Sequence, residues 1–343
     1  MRAIVHTETG DSSALQLVDR PIPTPGPGEI RVRVVVSGVN PTDWKNRRGA
    51  TANSGEGGET VPNQDGSGIV DAIGDGVEEF AIGDRVWLSL AAYQRPASGT
   101  AQEFTVVPVG RAFALPGNAS FDDGASIGIP ALTAHRALTS FEGAPTRLEP
   151  GALSGSTILV AGGAGAVGNS AIQLAHWAGA TVITTVSGDA KAALARSAGA
   201  DHVVTYTEPD AAAQIRAIAP DGIDLVVEVA AGRNMELDHA VLATRGTVAI
   251  YANDGDRPFA LEVRPNMVLN ARYQFVLLYT MGAEAIRNGA SAVNAAIEAG
   301  ALRFGEDAGV PFHHFELEQA AAAHEAVEAG AVGKVLIHVA AAE

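Results

Sequence analysis

Six residues near the middle of the chain, Gly163-Ala164-Gly165-Ala166-Val167-Gly168, form a complete G-x-G-x-x-G. The apolar run Thr157 to Ala161 precedes them, and a helical stretch from Ala166 to about Ala178 follows. In that setting the spacing has chemical meaning. One glycine permits a tight turn, one lets the backbone approach a pyrophosphate with no Cβ in the way, and one lets the helix pack closely on the sheet. The helix N-terminus then offers unpaired N–H groups to phosphate oxygens. Gly163, Ala164, Gly165, Ala166 and Val167 are therefore the expected diphosphate contacts.

The next strand bears on the choice of nicotinamide. A site for NAD usually carries an acid about 20 residues on, to bind the ribose 2′-hydroxyl. Here the strand ends Thr185-Val186-Ser187-Gly188, with no acid at its tip, although Asp189 follows closely. Ser187 and Lys191 are close enough in sequence to hold a 2′-phosphate, which wants donors and positive charge. NADPH is the expected cofactor.

These residues need a scaffold. Thr181–Val186, His202–Tyr206, Ile223–Glu228 and Thr247–Tyr251 read as further strands, and Ala190–Ser197 as a helix among them. Strands alternating with helices of this length imply βαβ units and a doubly wound parallel sheet, an α/β domain over residues 131–309. Before it, Arg31–Val36, Gly68–Ile73, Asp84–Leu88 and Glu103–Val109 read as strands separated by Gly and Pro. That pattern fits a compact β-barrel-like domain. The stretch Gly49 to Glu59, rich in Gly, Ser, Thr and Glu, reads as a mobile loop. A helix after Glu318 and the strand Lys334–Val339 resemble the first domain more than the second. The chain is expected to return, so that 1–130 and 310–343 form one unit.

Composition narrows the function. The 343 residues include 47% hydrophobic and 18% charged side chains, which suits two folded domains. Twenty-three Lys and Arg against 39 Asp and Glu give a formal charge of −16, a surface that repels phosphate backbones and argues against a nucleic-acid partner. No uncharged apolar run of about 18 residues suggests a membrane span. The N-terminus reaches Glu8 and Asp11 without the apolar stretch of a secretory signal, so the expected location is cytoplasmic. There are no cysteines, which excludes disulfides, Cys-ligated zinc and Cys nucleophiles.

Several motifs in order carry a resemblance. They are Ser37-Gly38-Val39-Asn40-Pro41-Thr42-Asp43, Gly74-Asp75-Gly76-Val77, Phe80 with Gly83-Asp84-Arg85-Val86, Gly124-Ala125-Ser126-Ile127-Gly128-Ile129-Pro130 with Leu132-Thr133-Ala134, Gly222-Ile223-Asp224 with Glu228, and Gly333-Lys334-Val335-Leu336. With them the chain resembles zeta-crystallin and the related NADPH:quinone oxidoreductases of the medium-chain dehydrogenase/reductase superfamily, from near Met1 to Val339. The resemblance implies a GroES-like catalytic domain and a Rossmann domain, with the active site in the cleft between them, and a homodimer or homotetramer. In relatives the edge strand of the Rossmann sheet often pairs with its copy. By the same resemblance Asn40 lies near the nicotinamide, and Thr133 near the cofactor. Ser187, Lys191 and Tyr206 match contacts to the 2′-phosphate end. Ala230, Ala231 and Tyr251 match strand ends bordering the adenosine and nicotinamide parts. One departure stands out. Relatives carry a tyrosine a few residues after the Asn-Pro pair, and this chain has Lys45, a feature that resembles the enone and alkenal reductases.

Zinc members of the superfamily use Cys or His and a Gly-His-Glu motif. Here the corresponding stretches read Gly38-Val39-Asn40 and Asn63-Gln64-Asp65, and the nine histidines are scattered, so no metal site is expected. Without a Lewis acid, alcohol oxidation lacks its usual alkoxide activation. Hydride delivery to a quinone, or to the β-carbon of an enone, fits better. The developing oxyanion needs a donor or positive charge. Lys45 and the Asn40 amide are the candidates, then Tyr251. The alternatives are a zinc-free alcohol dehydrogenase and a non-catalytic NADPH-binding protein with a structural or RNA-binding role; the negative charge opposes RNA.

Overall fold

The computed structural model describes residues 1–49, 58–253 and 257–341. Most of the Gly49 to Glu59 stretch lies outside the described residues. In chain order the elements begin with strands β1 (Arg2–Val5), β2 (Gln16–Asp19) and β3 (Glu29–Val39), helix α1 (Pro41–Arg47), then β4 (Asp65–Ile73), β5 (Arg85–Leu88), β6 (Phe104–Pro108) and β7 (Ala112–Ala114). Helix α2 (Phe121–Leu138) leads to β8 (Thr157–Ala161), α3 (Ala166–Trp177), β9 (Thr181–Val186), α4 (Asp189–Ser197), β10 (His202–Thr205) and α5 (Ala211–Ile218). There follow β11 (Ile223–Glu228), α6 (Ala231–Val241), β12 (Leu242–Ile250), α7 (Val263–Leu269), β13 (Arg272–Phe275) and α8 (Ala283–Glu298). The chain closes with β14 (Phe312–Glu316), α9 (Ala320–Glu328) and β15 (Lys334–His338).

Two compact units result, Met1–Ile129 with Phe312–Glu343, and Pro130–Pro311. In the first, β3 organises a seven-stranded sheet. One of its edges pairs β4 over most of its length; the other pairs β6 near Glu29–Arg33 and β15 near Val36–Val39. An eleven-residue strand can serve both partners because bulges at Arg31/Val32 and Val34/Val36 let its ladder with β4 bend. Ile30, Val32, Val70, Val86 and Leu88 form one core of this unit, and Ile4, Val34, Val335 and Ile337 belong to another. Each such side chain contributes about 1.5–3 kcal/mol by leaving water. The antiparallel pairing of β15 with β3 is the return of the chain expected from its C-terminal pattern.

In the second unit six strands run parallel in the order β10-β9-β8-β11-β12-β13. The chain winds outward from β8 to β10, then restarts beside β8 with β11. Ligands in such sheets bind past the carboxyl ends of the strands, at that reversal. β12 starts at Leu242, five residues before the expected Thr247; the two parts flank a register shift in its pairing with β11, where Arg245 takes a left-handed φ of 68°. Among the described residues no helix is long and apolar enough to cross a membrane.

Candidate functional site

The glycine turn follows β8 directly. Its positive φ falls at Gly162, 70°, one residue before the six-residue motif. The three motif glycines then differ in what their neighbours demand. A Cβ on Gly163 would lie 2.1 Å from Thr184 Oγ1 on β9, and one on Gly168 would lie 2.4 Å from the Gly162 carbonyl oxygen. Those two are required by packing of turn, sheet and helix. Gly165 is exposed, with φ −79°, and a Cβ there would meet only the Gly162 oxygen, at 3.4 Å. Among the described residues nothing calls for a glycine at this position. It caps α3, whose first intrahelical bond runs from Asn169 N–H to the Gly165 oxygen. The amides of Ala166, Val167 and Gly168 therefore precede any i→i−4 acceptor. Asn169 and Gln173 clamp the buried side of α3, donating to the carbonyls of Ala308 and Arg303 at 2.8 and 2.9 Å.

Parallel pairing brings Ser187, Tyr206, Ala230, Ala231 and Tyr251 to the carboxyl ends of the strands. Ser187 follows β9, Tyr206 follows β10, Ala230 and Ala231 follow β11, and Tyr251 follows β12. Ser187 is half-buried; Lys191, in the first turn of α4, and Tyr206 are exposed. The Ser187 carbonyl accepts from Thr207 Oγ1 at 3.5 Å, tying the two strand ends together. Tyr251 is half-buried and its N–H donates to the Glu228 carbonyl at 3.0 Å. Glu228, buried at the end of β11, accepts from the N–H of Ala230 and from Asn234 Nδ2. Burial raises the Glu228 carboxyl, and burial together with the neighbouring Glu228 charge drives Asp238 well above the usual carboxylate range. Thr133, buried in α2, belongs to the same unit.

Asn40 and Lys45 belong to the first unit. Asn40 caps α1 and Lys45 lies in its last turn, half-buried, with Nζ 5.6 Å from the Trp44 ring centroid. Asn40 is not an open amide. Its Nδ2 donates to Asp65 Oδ2 at 2.7 Å and its Oδ1 accepts from Lys334 Nζ at 2.7 Å. Its own N–H donates to Asp43 Oδ2, also at 2.7 Å. Asp65 further accepts from the Ile129 N–H at 2.8 Å and faces Lys334 Nζ at 3.4 Å. Asn40, Asp43, Asp65 and Lys334 are 2, 3, 0 and 2% exposed, so these groups depend on one another. The backbone gives way to them: a Cβ on Gly128 would stand 2.1 Å from Asp65 Oδ1.

Two carboxyls and one ammonium share this space. Burial pushes Asp43 up to about 8, and burial also raises Asp65 and lowers Lys334. The state with Asp43 protonated and Asp65 paired to the Lys334 ammonium is neutral, which a buried, low-dielectric interior favours. A second chain of bonds continues from it. Thr100 Oγ1 donates to the Asp65 carbonyl and bonds Ser37 Oγ, Asn63 Nδ2 donates to Ser37 Oγ, and His324 Nε2 meets Asn63 Oδ1 at 2.9 Å. Burial holds the His324 imidazole down at about 3, hence neutral.

This network is what the sequence pattern did not announce. In the sequence Asp65 stands out only within Asn63-Gln64-Asp65, and Lys334 only within Gly333-Lys334-Val335-Leu336. A lysine opening a terminal strand gives no local sign that it is buried opposite an acid 269 positions away.

Comparisons with known proteins agree with this architecture. Residues 26–117 match the alcohol dehydrogenase GroES-like domain, and residues 166–295 match the zinc-binding dehydrogenase family. A quinone oxidoreductase of Lama guanicoe is 30% identical over 341 residues, 98% of this chain and 97% of its own length. Among solved structures, an NAD-dependent alcohol dehydrogenase superposes with a TM-score of 0.86 at 28% identity, over 99% of this chain and 100% of that one. A mycobacterial protein solved with NADPH superposes with a TM-score of 0.82 at 30% identity, over 98% and 100%. With full-length identity to quinone oxidoreductases and both domain matches in order, the chain belongs to the quinone oxidoreductase family of medium-chain dehydrogenases and reductases.

Proposed function

We propose that this protein is an NADPH-dependent oxidoreductase that reduces a quinone. The observation that carries the reading is Gly165, an exposed glycine with an ordinary φ whose Cβ would meet only the Gly162 oxygen among the described residues, at the N-terminus of a helix and at the reversal point of the sheet. A side chain is missing there for the sake of something outside the chain, and a diphosphate fits the free amides beside it. Gly163, Ala164, Gly165, Ala166 and Val167 hold the diphosphate. Ser187, Lys191 and Tyr206 hold the 2′-phosphate, and Ala230, Ala231, Thr133 and Tyr251 line the rest of the cofactor. The solved NADPH complex of a 30% identical relative supports that cofactor.

When bound, the dinucleotide supplies a hydride to an electrophilic carbon. The chain's own task is to meet the negative charge that develops on the substrate oxygen. Lys45 is the cation assigned to it. Asn40, with one amide hydrogen on Asp65, keeps its second for cofactor or substrate. Tyr251 is the third donor. Lys45 also favours a second reading, reduction of an enone whose carbonyl the ammonium polarises. The first unit is read as the catalytic domain and the second as the cofactor domain, in a cytoplasmic protein.

The reading also includes a homodimer or homotetramer. β13 is the last strand of its sheet, and Phe275, Leu277, Val263, Met267 and Val268 on and around it are exposed. An unpaired edge beside apolar side chains invites a second copy.

The test is NADPH consumption against 1,4-benzoquinone, 9,10-phenanthrenequinone, methyl vinyl ketone, an aldehyde and a simple alcohol with NADP, with NADH in parallel. Quinone reduction with NADPH preferred supports the reading. Turnover of the alcohol alone, or equal rates with NADH, contradicts it. Lys45→Ala should lower quinone or enone turnover about tenfold or more; unchanged rates remove Lys45 from the mechanism.

A further inference from the structure

A second polar cluster lies on the first unit, apart from the residues assigned to cofactor or substrate. β14 and β15 pair in parallel, with His314 opposite Leu336 and His338 opposite Glu316, so both histidines stand on one face of the sheet. There His314 Nδ1 meets His338 Nε2 at 2.8 Å, the rings tilted with centroids 4.9 Å apart. His338 Nε2 also lies 3.9 Å from Asp122 Oδ1, in the first turn of α2. One nitrogen from each histidine and one carboxylate oxygen thus lie within 4.8 Å of one another.

The three side chains are braced by their neighbours. Phe121 precedes Asp122, Phe312 lies two before His314, and Leu336 two before His338. All three pack in one small core with Val35, Val36 and Ala125. The Phe312 ring also stands edge-on to His314, centroids 5.9 Å apart. The ligand atoms come from three different elements held to one another by buried apolar contacts, which is what a preorganised metal site needs. Their chemistry is specific too. Two imidazoles and a carboxylate suit a borderline divalent ion such as Zn²⁺ rather than Ca²⁺ or Mg²⁺. Two ligands of one tetrahedral zinc stand about 3.3 Å apart, and the separations of 2.8 and 3.9 Å straddle that value.

We propose that Asp122, His314 and His338 form a zinc site that staples the returning strands β14 and β15 to the start of α2, with the fourth position left to water. Without metal, one imidazole donates an N–H to the other. On binding, both nitrogens turn their lone pairs to the ion, and the donor ring carries its proton on its other nitrogen. His313 takes no part, because it is one residue from His314 on β14 and so stands on the opposite face of the sheet.

Zn²⁺ titrated calorimetrically into the chelator-treated full chain tests this. One ion per chain is expected. His338→Ala and His314→Ala should each weaken binding tenfold or more and Asp122→Asn several-fold, while His313→Ala should leave it unchanged. Zinc should raise the wild-type melting temperature by about 2–4 °C and leave that of His338→Ala unmoved. Co²⁺ should give the visible absorption of a tetrahedral site, lost in His338→Ala. His338→Gln, which keeps polarity and bulk, serves if the alanine variant fails to fold in chelator. Zinc affinity equal in wild type and in both histidine variants, or no binding at millimolar zinc, overturns the proposal.

Discussion

Around Asp65 the polar atoms point inward at one another, whereas Gly165 is exposed and a Cβ there would meet only the Gly162 oxygen among the described residues. In the first region the Lys334 ammonium, the Asp65 carboxyl and the Asn40 amide bond one another, and Asp43 accepts the Asn40 N–H, all of them buried. In the second, the chain omits a side chain that its own packing would tolerate. The difference separates polar groups that the fold needs from polar groups that await a partner. Both kinds lie in glycine-rich surroundings, so composition does not distinguish them; the nearest neighbour of a hypothetical Cβ does.

The largest effect is expected at Lys334. Lys334→Met should lower the unfolding free energy by roughly 3–5 kcal/mol, because it leaves Asp65 ionised, buried and without its cation. Urea unfolding measures this, and Lys334→Met with Asp65→Asn should recover part of the loss. A small change for the single variant would mean that water reaches Asp65. Next comes pH. Asp43 is raised in the folded chain from 3.8 to about 8. The folded state therefore holds a proton that the unfolded chain releases, and this group's stability falls as pH rises from about 4 to 8, by up to about 1.4 kcal/mol per unit. His324 works in the opposite sense. Lowered from 6.5 to about 3, it withdraws stability as pH falls below 6.5. Melting curves across pH should show a steeper loss of stability between about pH 4 and 8 in the wild type than in Asp43→Asn, and a steeper loss below about pH 6.5 than in His324→Gln. Parallel curves would remove both groups from the linkage.

Smaller effects sharpen the contrast within the turn. Gly163→Ala and Gly168→Ala should cost roughly 1–3 kcal/mol of stability from overpacking, read by urea unfolding. Gly165→Ala should cost less than about 1 kcal/mol, since the position accepts a Cβ. Ser187→Ala and Lys191→Ala should each raise the Michaelis constant for NADPH by up to about tenfold and leave NADH unchanged; a parallel loss with NADH would place both side chains away from the 2′-phosphate.

Local signals made the second unit readable. β8, β9 and β11 fall where short apolar runs placed them, because each signal is contained in five or six residues. α2 was not readable as a helix. Gly124, Gly128 and Pro130 give it the look of a turn, yet the glycines are there because a Cβ would strike Ser67 and Asp65 across the packing. β1 and β2 are hard to read for a different reason, since four residues each are too few to show alternation, β1 being mostly buried and β2 mostly exposed. In the first unit Asn40 was singled out by resemblance, but its partners Asp65 and Lys334 are joined to it only by the fold. The pairing of His314 with His338 is likewise set by strand register, which the sequence between two positions 24 apart does not reveal.

The central claim is that Gly165 lacks a side chain for a diphosphate. Titrating NADPH into wild type and Gly165→Val, with urea unfolding of the same samples, tests it most directly. The account expects dinucleotide affinity to fall by tenfold or more in the variant while the unfolding free energy moves by no more than about 1 kcal/mol. Equal NADPH affinity in a folded Gly165→Val protein would contradict it.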